Sequence, residues 1–110
     1  MIKTEKNNSA QVFSLSEAIS YTKGAIVSKE LIKKETGTVT LFSFDKGQGL
    51  SEHTAAFDAF VYVIDGEAGV NILKKPYTVK RGQMILMPAN KPHSLLAKKR
   101  FKMLLVLIKK

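Results

Sequence analysis

The sequence predicts an all-β fold, an antiparallel sandwich or barrel, and three observations carry that expectation. Beyond Gly24 the chain is a succession of short runs rich in β-branched and aromatic residues, with TVTLFSFD (residues 38–45) and FVYVI (residues 60–64) the strongest. Turn-forming residues recur between the runs, at Gly47-Gln48-Gly49, Asp65-Gly66, Lys74-Lys75-Pro76 and Arg81-Gly82. Helical periodicity is scarce after residue 24, which argues against strands alternating with helices in a parallel sheet.

The elements follow in order. The first ten residues, MIKTEKNNSA, are polar and are expected to be frayed. In VFSLSEAISY, Ser14 followed by Glu17 has capping-box spacing and predicts a short helix or turn that Gly24 ends. AIVSKELIK alternates loosely, and residues 38–45 form the first strong strand. Residues 60–64 form the second, and Asp65-Gly66 behind them is expected to be a two-residue hairpin turn. GVNIL returns, Lys74, Lys75 and Pro76 turn the chain, and YTVK runs to Arg81-Gly82. MILM, HSLLA and FKMLLVLI bring the total to eight or nine short strands. No repeat or linker divides the 110 residues, so one domain spanning 1–110 is expected, with one core.

Composition narrows the chemistry. The chain has no Cys, so disulfides, thiolate metal sites and cysteine nucleophiles are excluded. The longest apolar run, MLLVLI, is strand-sized and flanked by Lys, which predicts no membrane association. The polar start has no signal-peptide core, and a cytoplasmic protein is the expectation. Lys and Arg number 18 against nine acids, for a net charge of +9. The last 37 residues hold eleven of those bases and no acid. These charges alternate with core residues and read as solvated strand faces and protected edges. Only Phe101, inside KKRFK, hints at a base-stacking platform, so nucleic acid is an unlikely partner.

Two spaced motifs go further. From Gly47, five residues lead to His53, and Gly66 closes the stretch thirteen residues later. From Gly82, five residues lead to Pro88, then Asn90, then His93 and Ala97. In these residues the chain resembles a small single-domain cupin, whose motifs have the forms G-x5-H-x-H-x3,4-E-x6-G and G-x5-P-x-G-x2-H-x3-N. The resemblance implies an antiparallel jelly-roll barrel. It also implies a metal centre of three His and one Glu, of which this chain keeps His53 and His93. Ala55 stands at the second His position, Ala59 at the Glu position and Ala97 at the trailing Asn. Asn90, at a Gly position, suits the left-handed backbone a tight turn needs.

Two imidazoles are fewer donors than a transition-metal site ordinarily has. Asp58 would be a third if a β-bulge in TAAFD turned it inward, and Gln48 is a weaker candidate. Simple alternation points Ser51, His53 and Ala55 inward on one strand and Ala59, Val61 and Val63 on the next, with Phe57 at the rim. Val61 and Val63 read as plain core. Ser94 directly follows His93 and is expected to face away from it. Ala55 and Ala59 would leave a small apolar pocket with two imidazoles, the usual character of a small-molecule site.

These readings favour a small cupin-fold protein that binds a small molecule at His53 and His93, with a partial two-His site for a divalent transition metal (zinc, nickel, manganese or iron). The alternative is a metal-dependent cupin enzyme of dioxygenase or isomerase type, its metal shell completed by Asp58, water or substrate. Likeness to cupins also implies a homodimer, with AIVSKELIK or FKMLLVLI as the contact, the latter reading more as core.

Overall fold

Half-buried strands need a second layer over their apolar side, and here one continuous sheet supplies it by curling on itself. The computed structural model describes residues 2–4 and 10–109. Its strands are β1 (Ile2–Thr4), β2 (Ile26–Lys34), β3 (Gly37–Phe44), β4 (Gly49–His53), β5 (Asp58–Ile72), β6 (Lys75–Lys80), β7 (Met84–Met87), β8 (His93–Leu96) and β9 (Phe101–Ile108). They run in the order β1-β2-β3-β9-β5-β8-β4, with β6 and β7 also paired to β5. Every pairing is antiparallel except β1 on β2. The expected antiparallel barrel is therefore present. The expected frayed start is only partly so, since Ile2–Thr4 pairs with residues 27–29, while residues 5–9 lie outside the described residues.

β5 corrects the sequence reading most. Asp65-Gly66 is not a hairpin turn: β5 runs through it as a single 15-residue strand. Its register against β9 slips between Val63 and Asp65, leaving Ile64 as the extra residue of a β-bulge. The bulge inverts the alternation. Before it, Ala59, Val61 and Val63 face the core; after it, Ala68 and Val70 do. One strand thus serves two sheets, pairing with β9 and β7 in its first half and with β6 and β8 in its second. Gly66, at φ +73°, permits this, and a Cβ there would overlap the Arg100 carbonyl oxygen.

The true hairpin turn comes one residue earlier than expected. Leu73 and Lys74, with φ of 52° and 64°, join Ile72 to its partner Lys75, and Pro76 lies within β6 opposite Asn71. Positive φ at both central positions is what a tight hairpin demands, and the residue types here do not announce it.

The core inside the barrel gathers Phe42 and Phe44 of β3, the inward residues of β5, and Phe101 and Met103 of β9. Phe101 is fully buried and stacks on Phe44 with ring centroids 4.5 Å apart. Its place among lysines therefore reflects a core anchor, not a nucleic-acid platform. A second cluster lies on the outer side of the sheet, where Ile19, Leu15 and Ala18 cover Val27, Leu41, Ile64 and Leu104.

That covering segment is held by polar contacts. Leu15–Glu17 forms one 3-10 turn, and Ser14 precedes it with no side-chain cap, so the capping box does not form; the Ser14 carbonyl accepts the Glu17 N–H at 3.1 Å instead. Tyr21 donates its hydroxyl to Asp65 at 2.5 Å, and Arg100 and Lys102 lie over its ring. Burial, followed by the Asp65 contact, raises the phenol well above its ordinary value near 10.0. The Gly24 N–H donates to Asp45 at 2.7 Å and holds that exposed carboxyl below the usual range.

Two tests follow from this packing. Gly66→Ala should cost about 3 kcal/mol or more in chemical denaturation, whereas Gly24→Ala, equally left-handed but facing open space, should cost about 1 kcal/mol. For Tyr21 the folded state holds the proton more tightly than the unfolded state. Its contribution is therefore complete below the ordinary phenol value near 10.0 and declines as pH rises beyond it. Denaturation midpoints followed through the alkaline range should fall more steeply in the wild type than in Tyr21→Phe.

Candidate functional site

His53 ends β4 and His93 begins β8, and the two are direct cross-strand partners. Their rings meet edge to face, with centroids 4.3 Å apart and planes at 67°. Several local features bring them there. β8 is held between β4 and the second half of β5, where Ile72 pairs with His93. The Leu73 N–H donates to the Pro92 carbonyl at 2.9 Å, fixing the residue before His93. Asn90, at φ 64°, donates its N–H to the Ala55 carbonyl at 2.7 Å. That bond joins the loop after one histidine to the loop before the other. The left-handed Asn90 expected at that Gly position of the resembled motif is observed.

The two rings are oriented alike. His53 Nδ1 lies 2.8 Å from the Ser51 carbonyl oxygen, and His93 Nδ1 lies 3.0 Å from that of Lys91. A carbonyl oxygen only accepts, so Nδ1 carries the proton in each ring. In the neutral imidazole this leaves the Nε2 lone pair free, the posture in which histidines bind metals. His93 is buried and His53 is exposed, so the pair sits where the barrel interior opens to solvent.

The other expected residues are placed differently. β4 slips register between Leu50 and His53, so Leu50 packs against the core and Ser51 is exposed. Ser51 meets the pair only through its carbonyl. Ala55 is half-buried in the loop beyond β4, and Ala59 is buried within the core cluster, as are Val61 and Val63. Phe57 is half-buried, with the Lys109 ammonium 5.3 Å from its ring centroid. Asp58 is exposed, and its carboxylate accepts the Ala89 N–H at 2.9 Å. Glu52 faces Lys74 at 3.9 Å on the surface. Gln48 uses its backbone, accepting the Ala97 N–H at 2.8 Å. Ser94 faces away from His93, as alternation requires, and its hydroxyl accepts from Asn71 at 3.3 Å.

Among the described residues no group of three or more His, Asp or Glu side chains is close enough to share a metal ion. The donor set thus fits two positions of a metal's shell, both imidazole. Of the clefts on the surface, one of about 110 Å³ lies over Gly69 between β5, β6 and β8, and another lies beside Tyr77 and Met84; neither is lined by an imidazole. The contributions that sequence reasoning missed are backbone ones, the carbonyls of Ser51, Lys91 and Ala55. For Ser51 and Lys91 the signal is the two-residue interval between the carbonyl and its histidine; the Ala55 carbonyl, which accepts the Asn90 N–H, has none.

With this geometry in view, residues 40–108 match the family model described as "Cupin domain". A conserved protein of unknown function from Streptococcus pyogenes is 34% identical, with a TM-score of 0.91; the match covers 100% of this chain and 96% of that one. A cupin 2 conserved barrel domain protein from Leptotrichia buccalis is 45% identical, with a TM-score of 0.86, over 88% of this chain; the match spans about half of that protein, 47% of its length. A cupin superfamily protein from Desulfitobacterium hafniense, 24% identical over 93% of this chain and 94% of that one, has a TM-score of 0.87 and shows likeness of fold alone. No curated protein matches the chain. No helix among the described residues is long and apolar enough to cross a membrane.

The shared orientation of the rings can be checked directly. Nitrogen chemical shifts of the two imidazoles at neutral-to-alkaline pH should show both as the Nδ1–H tautomer; an Nε2–H form at either ring would remove the basis for a two-acceptor site.

Proposed function

The chain belongs to the cupin family, and from that premise we propose that it binds a small molecule at the rim of the barrel, with His53 and His93 as the polar contacts. What supports the reading is the matched posture of the two rings, each with Nδ1 tied to a backbone carbonyl two residues upstream. Two neutral imidazoles so held offer two acceptors and no donor, so they suit a ligand with acidic N–H or O–H groups, or a divalent transition-metal cation. A divalent transition metal such as zinc, nickel, manganese or iron would be held by His53 and His93, with its remaining positions filled by water and by the ligand's own oxygen or nitrogen atoms. Bound there, the metal would act as a Lewis acid on a chelating ligand. The protein's part is to fix both rings and to bury one of them, so that little rotamer freedom is lost on binding.

The enzyme reading, a dioxygenase or isomerase with a protein-held metal, calls for a third fixed donor. Asp58 was the sequence candidate, and its engagement with the Ala89 N–H leaves that reading with less support.

Titration calorimetry with zinc or nickel, with and without a small dicarboxylate chelator, tests the proposal. The metal alone should bind weakly, the chelator should strengthen binding, and His53→Ala or His93→Ala should each weaken it by about a hundred-fold. Equal binding by wild type and the double variant, for metal and for a small-molecule library alike, would sink the proposal.

A further inference from the structure

The cleft of about 110 Å³ over Gly69 lies on the side of the sheet away from the histidine pair. Ala68 and Val70 of β5, Val79 of β6, and His93 and Leu95 of β8 are buried, so their neighbours along each strand face outward. The registers set those outward residues in rows. Thr78, Gly69 and Leu96 lie side by side across β6, β5 and β8, and Asn71 stands beside Ser94 in the next row. On the other flank is Glu67, and Lys98, two residues beyond Leu96, lines the cleft with it.

Gly69 makes the floor. Its φ is not left-handed, so no backbone demand selects glycine there. Glycine inside a strand weakens it, and one that conformation does not require marks the close approach of another group. A Cβ at this position would stand 3.0 Å from the Leu96 carbonyl oxygen, so even one added carbon crowds the floor. The walls are charged. Among the described residues the single ion pair joins Lys74 to Glu52, so the Glu67 carboxylate and the Lys98 ammonium line one cleft without pairing. Asn71 donates one amide hydrogen to Ser94 and keeps its carbonyl oxygen to accept from a ligand.

We propose that this cleft binds the zwitterion of a free α-amino acid with a short aliphatic side chain, at a site separate from His53 and His93. The ligand's ammonium meets Glu67 and its carboxylate meets Lys98, each contact a charge-assisted hydrogen bond. Its side chain lies over Gly69 against Leu96, which is 43% exposed and otherwise faces water. The charges select this class over others. A simple anion would be repelled by Glu67 and a simple cation by Lys98, while a neutral sugar would leave both charges with no ionic partner. The size of the cleft admits a single small molecule and not a peptide.

Titration with L-valine at low salt, followed by backbone amide chemical shifts, provides the test. Saturable shifts are expected at Gly69, Thr78 and Leu96. N-acetyl-L-valine, which lacks the ammonium, and L-valinamide, which lacks the carboxylate, should each bind about five-fold more weakly or worse. Glu67→Gln and Lys98→Gln should each weaken L-valine to a similar degree, and Gly69→Val should abolish its binding. The two charge variants keep the proposal testable should Gly69→Val fail to fold. His53→Ala combined with His93→Ala should leave L-valine binding unchanged. No saturable shift up to the solubility limit of L-valine overturns the proposal. So does binding that neither charge variant weakens, binding that the double histidine variant abolishes, or binding of D-glucose as tight as that of L-valine.

Discussion

One extra residue in β5 sets the geometry on which the rest of the molecule depends. Without the bulge at Ile64, a strand of this length would keep Val61 and Val63 inside but turn Ala68 and Val70 to the solvent, and the second sheet would have no core face. With it, the strand bends, changes parity and continues as the middle of a second sheet. β8 then pairs with the far half of β5, and β4 pairs with β8. The histidine pair is a downstream product of that sequence of contacts. Among the described glycines Gly66 alone is required by space as well as by conformation, because the Arg100 carbonyl occupies the place of any side chain.

The bulge also explains what could be read from the residues and what could not. Strand locations were legible because β-branched and aromatic runs are punctuated by Gly, Pro and Asn. The juxtaposition of His53 and His93 was legible through the resemblance, whose Gly and Pro spacings encode the turns that bring the two strands together. Facing was not legible near irregularities. Period-two alternation predicts Ser51 inward, and the register slip in β4 gives that place to Leu50. Asp65-Gly66 has the residue types of a hairpin turn because a bulge makes the same demand, positive φ beside a small residue. The turn expected at Lys74-Lys75-Pro76 lies one residue earlier, at Leu73-Lys74, because the β5–β6 pairing takes Lys75 and Pro76 into β6.

The segment before β2 shows how tertiary context replaces local propensity. Ser14 and Glu17 have the types for a cap, yet one turn of 3-10 helix gains too little from capping to matter. What holds the segment is apolar contact on the outer sheet and the anchoring of Tyr21 between Asp65 and two cations. Tyr21 thereby ties the segment to the same bulge that shapes β5, and the cover it provides stops at Leu41 and Leu104. The boundary between the covered and open halves of the outer face is thus set by the reach of about ten residues.

β9 lies between β3 and β5, at the middle of the first sheet, although it is the last of the nine strands in the chain. Its neighbours are therefore synthesised long before the strand that bridges them, and until it arrives each shows an unpaired edge and an apolar inner side. Closure of the barrel must follow translation of β9, not accompany the emergence of β3 and β5 from the ribosome. A chain of this design spends its synthesis as a set of hairpins awaiting a partner, which makes the nascent state, more than the finished barrel, the form most exposed to chaperones and to aggregation.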